Sequence, residues 1–282
     1  MIDFELKEGF DVEGRPDLKY YAFDWDDNLM FMPTEIIVLS DDGEEVGMST
    51  EDFAEYREDI GKKTFNYKGK DIIGYSNDPF INFREEGDKQ FIIDSLDAET
   101  GPSWDDFVEC INGGSIFAII TARGHNPMTI KDSVYNLIVT NHNGIDSRVL
   151  LKNLKMYRDL TGEKIKDDQL LIDEYLDLCR FYPVSYGEGS ASSPEQGKIK
   201  ALFEFIDYVT EQSRKFGYNL SLNKDFVNDV SNNFVPDYFP KIGFSDDDPK
   251  NIESIKRSLE KEYGDENPVK TYLTKGGKKK EV

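Results

Sequence analysis

Residues 20–29 read Tyr-Tyr-Ala-Phe-Asp-Trp-Asp-Asp-Asn-Leu. A short apolar run, fit for a buried strand, ends in three carboxylates, Asp24, Asp26 and Asp27. Like charges at a strand tip repel, and holding them there is costly unless a cation sits among them. The decapeptide therefore predicts a hard-metal site with a spare carboxylate for chemistry, at the carboxyl end of a parallel strand.

The rest of the chain supplies a frame for that strand. Leu18–Phe23, Ser115–Ile120, Phe181–Tyr186 and Lys241–Phe244 read as strands. Helical stripes lie between and after them: Trp104, Phe107, Val108 and Ile111; Ile130, Val134, Leu137 and Ile138; Arg148–Leu160; Asp168–Leu178; Ile199 to Val209, ending before Gly217; and Ile252, Ile255 and Leu259. Continuous apolar strands alternating with helices predict an α/β protein with a doubly wound parallel sheet. Residues 1–29 and 104–282 form its core domain in this reading. About 75 residues separate the first strand from the next αβ unit, too many for a plain connection. Within them Glu35–Met48 reads as a hairpin, residues 49–59 as a helix, and 61–100 as irregular with a second possible hairpin near Phe65–Ile73. Residues 30–103 are thus expected to form an inserted cap lobe over the acidic tip, and 218–240 a small second insertion. The mixed-charge tail, Lys275–Val282, is expected to be mobile.

Charge narrows the partners. There are 56 acidic and 34 basic residues in 282, a formal net charge of -22. Such a chain is poorly attracted to phosphate backbones or anionic membranes, so nucleic acid is an unfavoured partner. Two segments run against this background: Arg148, Lys152, Lys155, Arg158, Lys164 and Lys166, and then Lys62, Lys63, Lys68 and Lys70. They read as solvated faces, with a polyanion patch as the alternative. No apolar run reaches a membrane span of roughly 20 residues, and the first residues do not read as a secretion signal. Cys110 and Cys179 read as reduced core thiols, which points to a reducing cytosol. His125 and His142 lack metal-ligand spacing and read as loop or cap residues.

In a doubly wound sheet, ligands bind beyond the carboxyl ends of strands. Thr121-Ala122-Arg123-Gly124 follows the strand ending at Ile120, and Ser245-Asp246-Asp247-Asp248 follows the strand ending at Phe244. One sheet edge thus offers two acidic tips, a hydroxyl and an arginine. Carboxylate oxygens suit Mg²⁺, and Thr121 with backbone N–H groups can bond a phosphate oxygen. Asp248, followed by Pro249, reads as a helix cap.

This set, in this order, resembles the haloacid dehalogenase (HAD) superfamily. The first motif stands as Tyr20–Phe23 followed by Asp24-Trp25-Asp26-Asp27-Asn28-Leu29, with Asp27-Asn28 where the family has Gly-Thr. The second is Ile116–Ile120 with Thr121. The third is a lysine at a helix start, matched by Lys198, with Lys200 and Lys241 as alternatives. The fourth is a strand followed by an acidic pair and a further polar residue, matched by Ile242-Gly243-Phe244 and then Ser245-Asp246-Asp247-Asp248-Pro249-Lys250-Asn251. The resemblance implies a phosphatase-like activity through an aspartyl-phosphate. Asp24 would be the nucleophile and Asp26 the general acid and base. Mg²⁺ would be held by Asp24, the Asp26 carbonyl and the Asp246/Asp247 pair. Thr121 and Lys198 would hold the phosphoryl group, and Asn28 and Arg123 would contact substrate. The substrate would be a small phosphorylated metabolite or nucleotide, or, as an alternative, a nucleic-acid end. The other alternative is a non-catalytic binding or structural module, with protein partners on the inserted lobe. The first motif and hairpin also resemble uncharacterised proteins of tailed phages, which would place the protein in the host cytoplasm or the virion.

Overall fold

The computed structural model describes residues 19–161, 167–187, 193–222 and 240–282. The first elements are β1 (Lys19–Phe23), β2 (Met30–Phe31), β3 (Ile36–Ser40), β4 (Glu45–Met48), α1 (Thr50–Tyr56), β5 (Phe65–Tyr67) and β6 (Lys70–Tyr75). Then come α2 (Asp88–Asp97), β7 (Glu99–Thr100), α3 (Trp104–Asn112), β8 (Phe117–Thr121), α4 (Pro127–Val139), α5 (Ser147–Thr161) and α6 (Asp168–Leu178). The last are β9 (Arg180–Pro183), α7 (Pro194–Leu222), β10 (Lys241–Asp246), α8 (Pro249–Tyr263), β11 (Val269–Leu273) and β12 (Lys280–Glu281). No helix among the described residues is long and apolar enough to cross a membrane.

The chain is a mixed α/β protein with a largely parallel main sheet. Its six strands run β12-β11-β10-β1-β8-β9, and only the β11–β12 pair is antiparallel. The pleat divides the core. Phe23 and Ile119 point into one cluster with residues of α2 to α6, while Tyr20, Ala22, Ala118 and Ile120 point into another with α7 and α8. Every residue of β8 is buried, as a strand covered on both faces requires. Phe107 of α3 meets Phe23 and Phe117 edge-on, each with ring centres 5.4 Å apart. Side chains at their starts fix the helices: Asn126 caps α4 and Asp248 caps α8, each followed by proline.

Residues 30–103 hold two kinds of structure. Strands β4-β3-β6-β5 form a separate antiparallel sheet with its own core of Val38, Met48, Ile60, Tyr67 and Ile72. Met30, Met32 and Phe91 instead join the main core, so α2 packs with α3 to α6. The stretch expected to be irregular, 61–100, contains β5, β6, α2 and β7.

Other expectations need correction. The tail is not loose: β12 pairs with β11, Lys279 pairs with Asp106, and Thr271 Oγ1 donates to the Val282 carbonyl at 2.8 Å. The strand at Phe181–Tyr186 lies instead at Arg180–Pro183, and α7 continues past Gly217 to Leu222. The insertion expected at 218–240 lies almost wholly outside the described residues. Phe107→Ala is expected to lower the unfolding free energy by about 3–5 kcal/mol, because it opens a cavity between three rings. Urea unfolding measures this, and a loss below about 1 kcal/mol would contradict the packing.

Candidate active site

The strand order reverses between β1 and β10, whose chain neighbours leave in opposite directions. At such a point the loops beyond the strands part and leave a crevice. Asp24 follows β1 there, and Asp246 ends β10; the Asp24 N–H donates to the Ser245 carbonyl at 2.9 Å. Asp24, Asp246 and Asp247 each offer a carboxylate oxygen, and these oxygens lie within 4.8 Å of one another.

Lys198, in the first turns of α7, is 1 % exposed. Its Nζ lies 2.9 Å from Asp24 Oδ2 and 2.7 Å from Asp246 Oδ2. Burial works against its charge, but the two carboxylates outweigh burial and hold its pKa above the usual lysine value. Lys200 is exposed and pairs with Glu204 at 3.7 Å, and Lys241 begins β10 at the far end of the strand. Of the three candidate lysines, Lys198 is the one that meets both acids.

The carboxylates differ. Asp246 is saturated: besides Lys198, it accepts from the Asp248 N–H at 2.9 Å and from Asn251 Nδ2 at 3.0 Å. Asp24 Oδ1 is buried and meets no hydrogen-bond donor among the described residues. Burial, only partly offset by Lys198, pushes the Asp24 pKa up to about 7, with Asp246 and Asp26 adding to the rise. Asp247 is also raised well above the ordinary carboxylate range, by burial first and then by Asp246 and Asp24. A cluster of three carboxylates, one with a buried oxygen that meets no donor among the described residues, fits a hard cation with oxygen ligands.

Asp26 is held differently from the expectation. Arg123 Nε donates to its Oδ2 at 2.8 Å and Nη2 to its Oδ1 at 2.6 Å. Arg123 is 1 % exposed, also donates to Thr34 Oγ1 at 2.9 Å, and lies over the rings of Phe83 and Phe91 at 4.7 and 4.8 Å. His125 touches Arg123 at 3.1 Å and pairs with Asp88 at 2.8 Å; Thr129 donates to the other Asp88 oxygen. Burial and the neighbouring Arg123 lower the His125 pKa. Arg123 is therefore the partner of Asp26, and His125, in the loop before the Asn126 cap as expected, is a buried member of the same network.

Asn28 is likewise not free for substrate. Its Nδ2 donates to the Asp24 carbonyl at 2.9 Å and to Ser245 Oγ at 3.0 Å, and its Oδ1 accepts from Thr274 at 2.9 Å. It stitches the β1 tip to β10 and to the end of β11. Thr121 ends β8 with its Oγ1 accepting from the Arg123 N–H at 3.3 Å. Asp27 takes φ +54°, the left-handed conformation that glycine adopts most easily and aspartate tolerates. Burial raises its pKa to about 6, against a hydrogen bond with Thr50. Gly101 packs on this loop so closely that a Cβ would sit 2.5 Å from the Asn28 carbonyl oxygen.

The lobe sheet's helix reaches the same tips. Arg57 Nη2 lies 2.9 Å from Asp248 Oδ2, and Lys250 lies 3.0 Å from Glu58. Five residues of the basic segments are paired with acids: Lys62 with Glu58, Lys63 with Asp59, Lys70 with Asp42 and Glu44, Arg148 with Asp146 and Lys155 with Asp168. Lys164 and Lys166 lie outside the described residues. Thr34, Asp88 and Thr274 carry no signal in the sequence, whereas Asn251, one helical turn after Asp248, closes the fourth motif, and the structure gives it the role of donor to Asp246.

The chain matches no protein-family model, no curated protein and no solved structure.

Asp24 binds its proton more tightly folded (about 7) than at the ordinary value of 3.8, so ionising it costs stability between those pH values, fully above about 7. Asp24→Asn removes that cost. In urea unfolding with chelator present, its gain over the wild type is expected to be larger near pH 8 than near pH 5 by on the order of 2 kcal/mol. An equal gain at both would contradict the raised pKa.

Proposed function

We propose that this chain is a Mg²⁺-dependent phosphomonoester hydrolase with a doubly wound, HAD-like core and a cap lobe drawn from residues 30–103. One observation carries the reading: Asp24 has one oxygen on buried Lys198 and the other without a donor among the described residues, in a cluster with Asp246 and Asp247. A nucleophile needs a free oxygen, and the attacked phosphate needs positive charge around it.

In this reading Asp24 attacks phosphorus, and the bond from phosphorus to the leaving oxygen breaks. Asp26 gives a proton to that oxygen, then takes one from the water that hydrolyses the aspartyl-phosphate, releasing inorganic phosphate. Lys198 and Thr121 hold the transferring oxygens. Asp26 can exchange a proton only after its two-point pair with Arg123 opens. Asp24 and Asp247, with the Asp26 carbonyl, would hold Mg²⁺, because Asp246 is already saturated. When bound, Mg²⁺ offsets the repulsion between nucleophile and phosphate. The net charge of -22 disfavours a nucleic-acid end as substrate.

The same Arg123–Asp26 pair favours a second reading, a HAD-like module that binds without catalysis. A phosphatase panel of phosphometabolites and phosphorylated oligonucleotides separates the two. Turnover of p-nitrophenyl phosphate in Mg²⁺ is expected, and Asp24→Asn should lower it by about a thousandfold or more while the circular dichroism spectrum is kept. Undiminished activity in that variant would sink the nucleophile assignment. Mg²⁺ is also expected to raise the thermal midpoint of the wild type but not of Asp247→Asn. The same rise in both would remove Asp247 from the ligand set.

A further inference from the structure

The lobe carries an aromatic group that this chemistry does not use. Phe53 on α1, Tyr75 at the end of β6 and Phe80 just beyond it form a triangle. Their ring centres are 5.6 Å (Phe53–Phe80), 6.2 Å (Tyr75–Phe80) and 6.4 Å (Phe53–Tyr75) apart. Tyr75 is 38 % exposed and Phe80 39 %, whereas the lobe's core residues are buried.

Two features aim this triangle at the strand tips. Thr50, Phe53 and Arg57 follow each other at spacings of three and four and share one face. Thr50 is hydrogen-bonded to Asp27 and Arg57 to Asp248, so Phe53 stands between two anchors on the acidic tips. The second feature is a β-bulge. Ser40 pairs with Ile72 but Val38 pairs with Tyr75, which leaves one extra residue on β6. In an unbroken ladder Ile72 and Tyr75 would point to opposite faces; the bulge turns Tyr75 onto the face of Ile72, toward α1. From Phe80 the aromatic path continues inward to Phe83, 6.2 Å away, whose ring covers Arg123, the partner of Asp26.

We infer that Phe53, Tyr75 and Phe80 form a subsite for an aromatic leaving group, making the substrate a monophosphate ester of a nucleoside or an aryl alcohol. The inference rests on the hydrolase reading for its chemistry. Partly exposed rings gain most by stacking on another π-face, and every nucleobase offers one.

The test compares kcat/KM in Mg²⁺ for a nucleoside monophosphate, phenyl phosphate and glycerol phosphate. Calorimetric binding of the nucleoside monophosphate and glycerol phosphate accompanies it. Wild type, Tyr75→Ala and Phe80→Ala are used as full chains. The aromatic monoesters are expected to exceed glycerol phosphate by about tenfold, the worth of one stack. That ratio should fall close to one in both variants, through KM. Equal kcat/KM for aromatic and aliphatic esters in the wild type, or a ratio unchanged in both variants, overturns the subsite and leaves the hydrolase reading standing. If no ester is turned over, the hydrolase reading fails and calorimetry decides the subsite. Tighter nucleoside monophosphate binding that both variants lose upholds it, and equal affinity for the two ligands overturns it.

Discussion

An ammonium group buried between two carboxylates organises this molecule. Lys198 ties the start of α7 to the tips of β1 and β10, the two strands between which the sheet reverses its order. Burial alone would strip the charge from Lys198. The two carboxylates hold it there, and Asn251 and the Asp248 N–H take up what remains of Asp246. Losing Lys198 would leave the carboxylates uncompensated in the interior, which costs about 3–5 kcal/mol. The one oxygen left without a donor, Asp24 Oδ1, is the atom around which the proposed chemistry turns.

Arg123, buried in a second ion pair, with Asp26, joins the core to the stretch of 30–103. Arg123 follows β8, yet its surroundings come from elsewhere: Asp26 from the β1 loop, Thr34 before β3, Phe83 before α2 and Phe91 within it. Its charge is spread over two rings and two carboxylate oxygens rather than hydrated. Thr34 and Phe83 thus tie residues 30–103 to the Arg123–Asp26 pair.

Much of this was legible in sequence because it depends on local pattern. The continuous apolar run of β8, the proline-marked caps of α4 and α8, and the acidic ends of β1 and β10 all carry their signal within a few residues. The elements missed lack such signals. α2 has no side-chain cap, and it buries Phe91 and Ser95 while exposing Ile93, so its stripe is weak. β11 and β12 are short and polar at every second position or throughout, and acquire order by pairing with a sheet already formed.

The sequence by itself determined that carboxylates would stand at the ends of two buried strands, with a hydroxyl after a third, because strand period and burial place them there. It left three lysines equivalent, and it gave Arg123 and Asn28 to a substrate. Only the tertiary structure decided that Lys198 bridges the two acids, that Arg123 occupies both oxygens of Asp26, and that Asn28 is consumed in stitching β1 to β10. The reason is physical: a side chain's partner is set by the packing of distant segments, and a buried donor takes the acceptor that packing brings within reach.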